Sequence, residues 1–406
     1  ALAEERRLAA ALFGLATSAS QAKELRVFGL REELLERHAE LTGQVRRATV
    51  RVAAKGAAWS ALGWVVYALA FAGAIALIAL RATRHEASPG DVVLAVSLLR
   101  RAQLSVSQVS DAVGKLLTSA RAAGHLVWLE DHAERERAEV TGHPAPERLE
   151  RGIELRDVSF RYPGTETHVL RDLDLTLPAG RSVALVGENG AGKTTLVKLL
   201  TGMYRPTEGA ILLDGLPLEE IDLDAWRAAS SAVFQDHARY ELLAAQAVGV
   251  GDLPRVDDRP AVLGAIERAG AEGLPAELPE GLETPLGRSF SGGRELSGGQ
   301  WQKLALARGM MRDAPLLLIF DEPTASLDAP TESALFGSYV RTAGDAAARV
   351  GAITLLISHR FSTVRMADMI LVIDEGRIVE RGDHATLIAA GGLYAELYEL
   401  QARAYR

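Results

Sequence analysis

The chain has 406 residues, a formal net charge of −8, no cysteine and 24% charged residues. That length supports two or three domains, each with its own core. The acidic balance excludes the basic excess by which nucleic-acid binders gather phosphates, and the lack of cysteine excludes disulfides and thiolate metal sites. A mean hydropathy of +0.07 is high for a soluble enzyme this charged, and points to a membrane part joined to a soluble part. Ala1 opens without Met inside a charged helical run, so we expect further chain ahead of it.

Ala1 to about Lys55 reads as helix, Ala- and Leu-rich, with Gly14, Gly29 and Gly43 as its few breakers. The polar stretch Thr17–Glu24 predicts one helix ending and a short one beginning. Gly56–Leu80 then runs 25 residues without a charge. As a helix it spans roughly 30 Å of hydrocarbon. Gly63, Gly73 and many alanines allow close helix packing, and Trp59, Trp64 and Tyr67 sit toward one end as interfacial aromatics do. Arg46, Arg47, Arg51 and Lys55 precede this span against Arg81 and Arg84 after it, a bias that puts its N-terminal side in the cytoplasm.

Ser88-Pro89-Gly90 signals a turn, and Asp91 is expected to open a second span near 91–111. Leu98, Ala102, Val106, Val109 and Val113 share one face of it, while Arg100, Gln103, Ser107 and Ser110 share another. Charge facing lipid is costly, so Arg100, Arg101 and Gln103 are candidates to line a pathway; pairing with carboxylates or snorkelling is the plainer alternative. We therefore read 1–130 as a partial transmembrane domain and the charged, Pro-bearing stretch 131–150 as a linker. From 151 to 406 short apolar runs alternate with helical patterns: Ile153–Phe160, Ser182–Val186, Ala210–Leu213, Ala232–Phe234, Leu316–Phe320, Ile353–Ile357 and Met369–Ile373. That alternation predicts a parallel sheet with helices on its faces, closed by an amphipathic helix over Leu393–Arg406.

Three motifs carry the chemistry. Gly187-Glu188-Asn189-Gly190-Ala191-Gly192-Lys193-Thr194-Thr195 follows the buried run Ser182–Val186 and has the phosphate-binding P-loop spacing. Glycines let the backbone wrap a triphosphate, and its N–H groups and the following helix terminus face the anion. Lys193 would reach the β- and γ-phosphates and the Thr194 hydroxyl would ligate Mg²⁺. Leu316–Phe320 ends in Asp321 and Glu322, where the first carboxylate can serve Mg²⁺ and the second can take a proton from attacking water. Leu296-Ser297-Gly298-Gly299-Gln300 precedes a helix expected at Gln302–Met311, placing a hydroxyl and glycine N–H groups at a positive helix end.

In this order the motifs resemble the nucleotide-binding domain of the ATP-binding cassette (ABC) family. The resemblance identifies Tyr162 with the aromatic that stacks on adenine, and Gln235 with the glutamine that touches Mg²⁺ and the attacking water. Ala325-Ser326-Leu327-Asp328 resembles the D-loop and His359 the switch histidine on the γ-phosphate. Trp301 and Lys303 depart from the usual Gln and Arg, which we expect to alter surface chemistry more than phosphate contact. Phe290-Ser291-Gly292-Gly293 also contains Ser-Gly-Gly but lacks the following Gln, and Phe234-Gln235-Asp236-His237 lacks the Pro that many exporters have.

The upstream pattern resembles the C-terminal part of an exporter-type half-transporter: last membrane helices, then cassette, with the break near 18–29 as the coupling helix. The fold class expected is thus an α-helical, partial membrane domain fused to an α/β P-loop NTPase of ABC type. The resemblance implies ATP and Mg²⁺ as cofactors, with Glu322, His359, Gln235 and Lys193 catalytic. Thr194, Gln235 and Asp321 would serve the metal, and Tyr162, the P-loop, Ser297–Gln300 and Asp328 the nucleotide. It also implies a head-to-tail dimer with a second half-transporter, identical or different, in a cell membrane crossed several times, with the cassette in the cytoplasm. Membrane lipid and a transported substrate are the other expected partners, with no nucleic acid. The polar face near Arg100 hints at an anionic or polar cargo such as a peptide, with lipids and drugs equally open. A soluble, importer-type or non-catalytic regulatory cassette is the alternative.

Overall fold

The computed structural model describes residues 2–18, 21–84, 88–138, 142–289, 292–322, 344–358 and 360–404. They form two units, Ala1–Trp128 and Leu129–Arg406.

The first unit is helical. Helix α1 (Leu2–Thr17) gives way to α2 (Ala22–Val27), so the polar break falls where the sequence predicts it. Gly29 stands at φ +63°, its N–H donates to Arg26 O, and Leu30 N–H donates to Leu25 O at 3.1 Å. These two bonds satisfy carbonyls that the end of α2 would otherwise leave open, and only a residue tolerant of positive φ closes that loop. Helix α3 (Arg31–Thr83) is 53 residues long, about 80 Å at the usual rise. Its interior glycines do not break it, because the i→i+4 bonds of so long a helix outweigh about 1 kcal/mol per Gly. The most apolar window of this helix has a mean hydropathy of 2.2, and none of it is buried. Trp59, Trp64 and Leu69 are all more than half exposed. So much outward apolar surface needs lipid or further helices against it. By length and composition α3 qualifies to cross a membrane.

Helix α4 (Pro89–Ala138) begins two residues before the expected Asp91. Pro at the first helical position costs no hydrogen bond, and Ser88 and Asp91 cap the end reciprocally: Ser88 N–H donates to the Asp91 carboxylate at 2.7 Å and Asp91 N–H to Ser88 Oγ at 3.3 Å. Among the described residues α3 is the one helix that meets the hydropathy test for a span. Asp91, Arg100, Arg101 and Asp111 fall within 91–111 and dilute α4, so a second span there rests on the family resemblance. Helix α4 also continues through the charged run to Ala138, which the sequence suggests is linker. Charge without a Pro or Gly does not end a helix.

The second unit is layered. Strands β3 (Ser182–Val186), β6 (Ser230–Val233), β7 (Leu317–Asp321), β8 (Ile353–Ile357), β9 (Met369–Asp374) and β10 (Arg377–Gly382) form one sheet in the order β10-β9-β3-β8-β7-β6. All its pairings are parallel except the β9–β10 hairpin. The two-residue turn of that hairpin, Glu375-Gly376, has positive φ at both positions, the handedness that matches strand twist. A second sheet, β2-β1-β4-β5, is antiparallel and built from β1 (Gly152–Phe160), β2 (Leu170–Pro178), β4 (Glu208–Leu213) and β5 (Leu216–Pro217).

The expectation of one parallel sheet is therefore corrected. Ile153–Phe160 and Ala210–Leu213 leave it, because β1 joins β2 by a short loop and a parallel crossover needs a dozen residues or more. β2 escaped notice because Asp172 and Asp174 interrupt its apolar run, although Leu173, Leu175 and Leu177 alternate inward.

Period-two alternation decides what each face of the parallel sheet covers. Val183 and Leu185 of β3, Leu317 and Ile319 of β7, and Leu355 of β8 enter a core shared with the antiparallel sheet and helices α5 (Lys193–Leu200) and α6 (Leu223–Ala228). The opposite residues Leu318, Phe320 and Leu356 enter a second core with helices α7 (Ala244–Gly249), α8 (Arg259–Arg268), α9 (Leu274–Glu277) and α10 (Gly298–Gly309). Ala184, Val186, Ile370 and Val372 pack on Phe361, Leu387 and Tyr394 of the C-terminal helices, the last of which spans Leu393–Ala404. Each fully buried Leu, Ile or Phe contributes about 1.5–3 kcal/mol. The strand ends are thereby held rigidly from both sides.

Trp301 belongs to the second core at 1% exposure, which corrects the expectation that it alters the surface. The stretch ahead of β1 is docked as well: the Asp214 carboxylate accepts N–H bonds from Glu150, Arg151 and Gly152 at 2.9, 2.8 and 2.7 Å.

Candidate nucleotide-binding site

Strand β3 ends at Val186 and runs through Gly187–Gly192 into α5. Two glycines here are compulsory. A Cβ on Gly187 would lie 2.1 Å from the Ile373 carbonyl oxygen, and one on Gly192, at φ +109°, would lie 2.6 Å from Leu170 Cδ2. The loop thus lies tight against β9 and β2 and leads straight into a helix N-terminus, the kind of end that receives anions. Lys193 is 7% exposed, and its ammonium donates to the carbonyls of Gly187 and Glu188 at 2.8 and 2.9 Å. Burial pushes this ammonium below the usual lysine range, while Glu322 and Asp321 push it back up.

The register of the parallel sheet brings the other groups to the same edge. Leu185 pairs with Ile357, Ile357 with Asp321, and Phe320 with Val233, so β3, β8, β7 and β6 end side by side. Their carboxyl ends are where open α/β sheets bind ligands. Thr194 Oγ1 stands 3.4 Å from Asp321 Oδ2. Asp321 is 3% exposed; burial raises its carboxyl above the ordinary range, Glu322 adds to that, and Thr194 and Lys193 oppose it. Glu322 turns the chain at φ +48°, its N–H held by the Ile357 carbonyl at 2.9 Å. Gln235, two residues past β6, is exposed at this same edge. A hydroxyl, a buried carboxylate and an amide oxygen are hard oxygen donors suited to Mg²⁺, which takes few protein ligands and completes its shell with phosphate and water. No larger acidic or histidine cluster exists among the described residues. The cradle and donor set fit a magnesium-bound triphosphate.

Tyr162 stands beside this loop. Its hydroxyl lies 3.1 Å from Thr195 Oγ1, and Lys198 Nζ donates to it at 3.4 Å. Its ring meets Phe160 and Tyr204 edge-on at 5.0 and 5.4 Å, and lines an open pocket of ≈ 520 Å³ with Arg161, Gly164 and Tyr204. Thr195, the last residue of the P-loop run, and Lys198 hold that ring in place; the role of Lys198 is one the sequence leaves silent, because it lies outside the motif.

Ser297 caps α10 rather than preceding a helix that starts at Gln302. Gln300 N–H donates to Ser297 Oγ at 3.3 Å, and Ser297 N–H donates to Gln300 Oε1 at 3.0 Å. Gln300 Nε2 also donates to Glu277 at 2.8 Å. A Cβ on Gly298 or Gly299 would meet nothing within 4 Å, so an anion has free access to this helix terminus. No hydrogen bond among the described residues joins Ser297–Gln300 to the P-loop. Asp328, His359, Phe290 and Ser291 lie outside the described residues.

By fold and site the second unit is a P-loop NTPase whose sheet edge bears a phosphate cradle and two carboxylates, with a second anion-facing helix end. Residues 170–325 match the ABC transporter family model. An ATP-dependent lipid A-core flippase of Bordetella avium (strain 197N) is 35% identical over 90% of this chain and 60% of its own. Proteins of that name are 34% identical in Xanthomonas campestris pv. campestris, over 95% and 63%, and 38% identical in Pseudomonas aeruginosa, over 78% and 50%. The solved structure of a bacterial Atm1-family ABC exporter with ATP bound superposes with a TM-score of 0.78 and 27% identity, over 99% of this chain and 68% of that one. The second unit thus carries the ATPase domain of the ABC transporter family, and the chain has the helix-then-cassette order of an exporter-type half-transporter. It spans between about half and two thirds of the length of these curated relatives.

Proposed function

We propose that the chain powers export of a lipid-type cargo by binding and hydrolysing ATP between two cassettes. The observation that carries this reading is the meeting of Lys193, Thr194, Asp321 and Glu322 at one sheet edge, while Ser297–Gln300 stands open at a separate helix terminus. A cradle without its second anion clamp calls for another cassette to supply it. Lys193 holds the β- and γ-phosphates, Tyr162 stacks on the adenine, and Ser297 with the N–H groups of Gly298 and Gly299 grips the γ-phosphate of the partner's nucleotide. Glu322 takes the proton from the attacking water; Gln235 and His359 orient water and γ-phosphate, and Asp328 lines the dimer contact. Thr194, Asp321 and Gln235 would hold Mg²⁺, which when bound neutralises charge building on the phosphates.

The names of the curated relatives favour a lipid over the peptide that the polar face of α4 suggests, and give the peptide no support. Arg100 and Arg101, both exposed on α4, suit an anionic headgroup. On this reading α3 and α4 both cross a cell membrane, α2 is the coupling helix, the cassette is cytoplasmic, and a second half-transporter completes the machine. The exposed apolar surface of α3 speaks against a soluble cassette.

Glu322→Gln tests the reading. It should leave ATP affinity within twofold and cut turnover about 10²–10⁴-fold, the usual contribution of a positioned base. Hydrolysis at the wild-type rate would refute the assignment.

A further inference from the structure

The segment leaving Gln235 is fastened at two points to the part of the chain that carries the Ser297–Gln300 helix end. At the first, the Glu241 carboxylate accepts the Ser289 N–H at 3.0 Å, an anionic acceptor that makes the bond stronger than a neutral one. Gly287, at φ +85°, makes room for it: a Cβ there would lie 2.2 Å from the Glu241 carboxyl carbon. Backbone bonds flank this clasp, from Ala244 N–H to Thr284 O at 3.0 Å and from Leu286 N–H to Leu242 O at 2.9 Å. At the second, Arg308 of α10 reaches back. Its Nε donates to the Ala247 carbonyl at 2.8 Å, its Nη1 to the Ala238 carbonyl at 3.2 Å, and its guanidinium lies 4.3 Å from the centre of the Tyr240 ring. Neither residue belongs to the motifs that bind nucleotide.

We propose that Glu241 and Arg308 are positioning residues that make the segment after Gln235 and the Ser297–Gln300 terminus move as one body. A shift of Gln235 at the γ-phosphate edge is then delivered to the helix end that must close on the partner's nucleotide. Both fasteners are required. The approach to Ser297 is a loop, and a loop free of Glu241 absorbs displacement instead of passing it on; α10 free of Arg308 keeps only its packing. This inference rests on the ATPase reading above.

The experiment uses the full chain, purified in detergent with lipid, and measures affinity for a fluorescent ATP analogue, turnover at saturating ATP, and melting temperature. Glu241→Ala and Arg308→Ala should each bind the analogue within twofold of wild type and lose about tenfold in turnover, what one charge-assisted contact is worth. Glu241→Gln keeps an oxygen for the Ser289 N–H and should recover to within threefold of wild type. The double variant should fall well short of the hundredfold loss that independent residues give, because either cut alone already slackens the body. Turnover within twofold of wild type in both single variants overturns the proposal, as does equal loss of turnover and affinity with a collapsed melting transition. A Gln variant as poor as the Ala variant removes Glu241 from it. If the wild-type chain itself neither binds nor hydrolyses ATP, the cassette reading fails first and the positioning role falls with it.

Discussion

Replacing Gly192 by Ala should disable nucleotide binding without unfolding the cassette, and the size of the effect follows from the loop geometry. Gly192 sits at φ +109°, ψ 4°, directly before Lys193, as the residue that opens α5. Holding an L-residue in so rare a conformation costs on the order of 1–3 kcal/mol. Its methyl would also stand 2.6 Å from Leu170 Cδ2, and Leu170 is fully buried and cannot retreat. Overpacking of this kind costs about 1–3 kcal/mol more. Relieving the clash shifts the loop, and a shift there displaces the Lys193 ammonium that the proposed function sets on the phosphates. If about 2–4 kcal/mol must be restored on binding, affinity falls roughly 30- to 700-fold. Gly190 is the control: it has φ +88° but open space around its Cβ position, so Gly190→Ala bears the conformational cost alone and should lose about tenfold. Equilibrium titration with a fluorescent ATP analogue, alongside thermal melting, measures both. If Gly192→Ala binds within threefold of wild type, or if the two variants are equally impaired, the steric argument is wrong.

Two further outcomes follow from the same geometry. Trp301→Ala should remove about 3–5 kcal/mol from the core under α10. Because the P-loop packs on a different core, a separate early melting transition of that part should appear while analogue binding persists; a single unshifted transition would contradict the burial of Trp301. Thr194→Ala removes the hydroxyl that lies 3.4 Å from Asp321, and should raise the Mg²⁺ concentration needed for half-maximal turnover by about tenfold or more. An unchanged Mg²⁺ titration would exclude Thr194 from the metal shell.

The nucleotide edge was legible because its chemistry is written in consecutive residues. Gly187–Thr195, Asp321-Glu322 and Ser297–Gln300 each depend on local backbone geometry, and the strands ahead of the first two are unbroken apolar runs. What the sequence hid was long-range. Whether Ile153–Phe160 joins the parallel sheet depends on a partner strand whose apolar pattern is broken by Asp172 and Asp174, both at the edge where β1 and β2 bulge. Trp301 looked like a surface change because a helix period alone does not say which face meets α7 and α8. Glu241 and Arg308 were silent for a similar reason: a glutamate in a loop and an arginine on a helix are ordinary until tertiary folding sets them against Gly287 and Tyr240. The second span is the opposite case. The family pattern speaks for it, and the charges of α4 dilute the hydropathy that would speak for it independently.

Backbone strain also bears on how the edge works. Among the described residues, the non-glycine positions with positive φ are Asp157, Asp172, Asp214, Glu322 and Glu375, all acidic. Four of them sit in the antiparallel sheet or at hairpin turns, and structure accounts for each: Asp157 and Asp172 lie at bulges, the latter pairing with Arg377 at 2.7 Å, Asp214 gathers three N–H groups, and Glu375 starts a two-residue turn. Glu322 is the last described residue after β7, whose pairings with β6 and β8 carry no bulge. It follows a strand whose five residues are all buried, and its N–H is held by Ile357 of the neighbouring strand. A residue at that point could continue the extended chain at no cost; instead it bends sharply, on the order of 1–3 kcal/mol uphill. The bend separates Asp321, directed at Thr194, from Glu322, which is left partly exposed at the sheet edge. Two adjacent carboxylates on an unbent strand would point to opposite faces. On the roles proposed for Asp321 and Glu322, this bend is what would let an acid for the metal and a base for the water serve one phosphate.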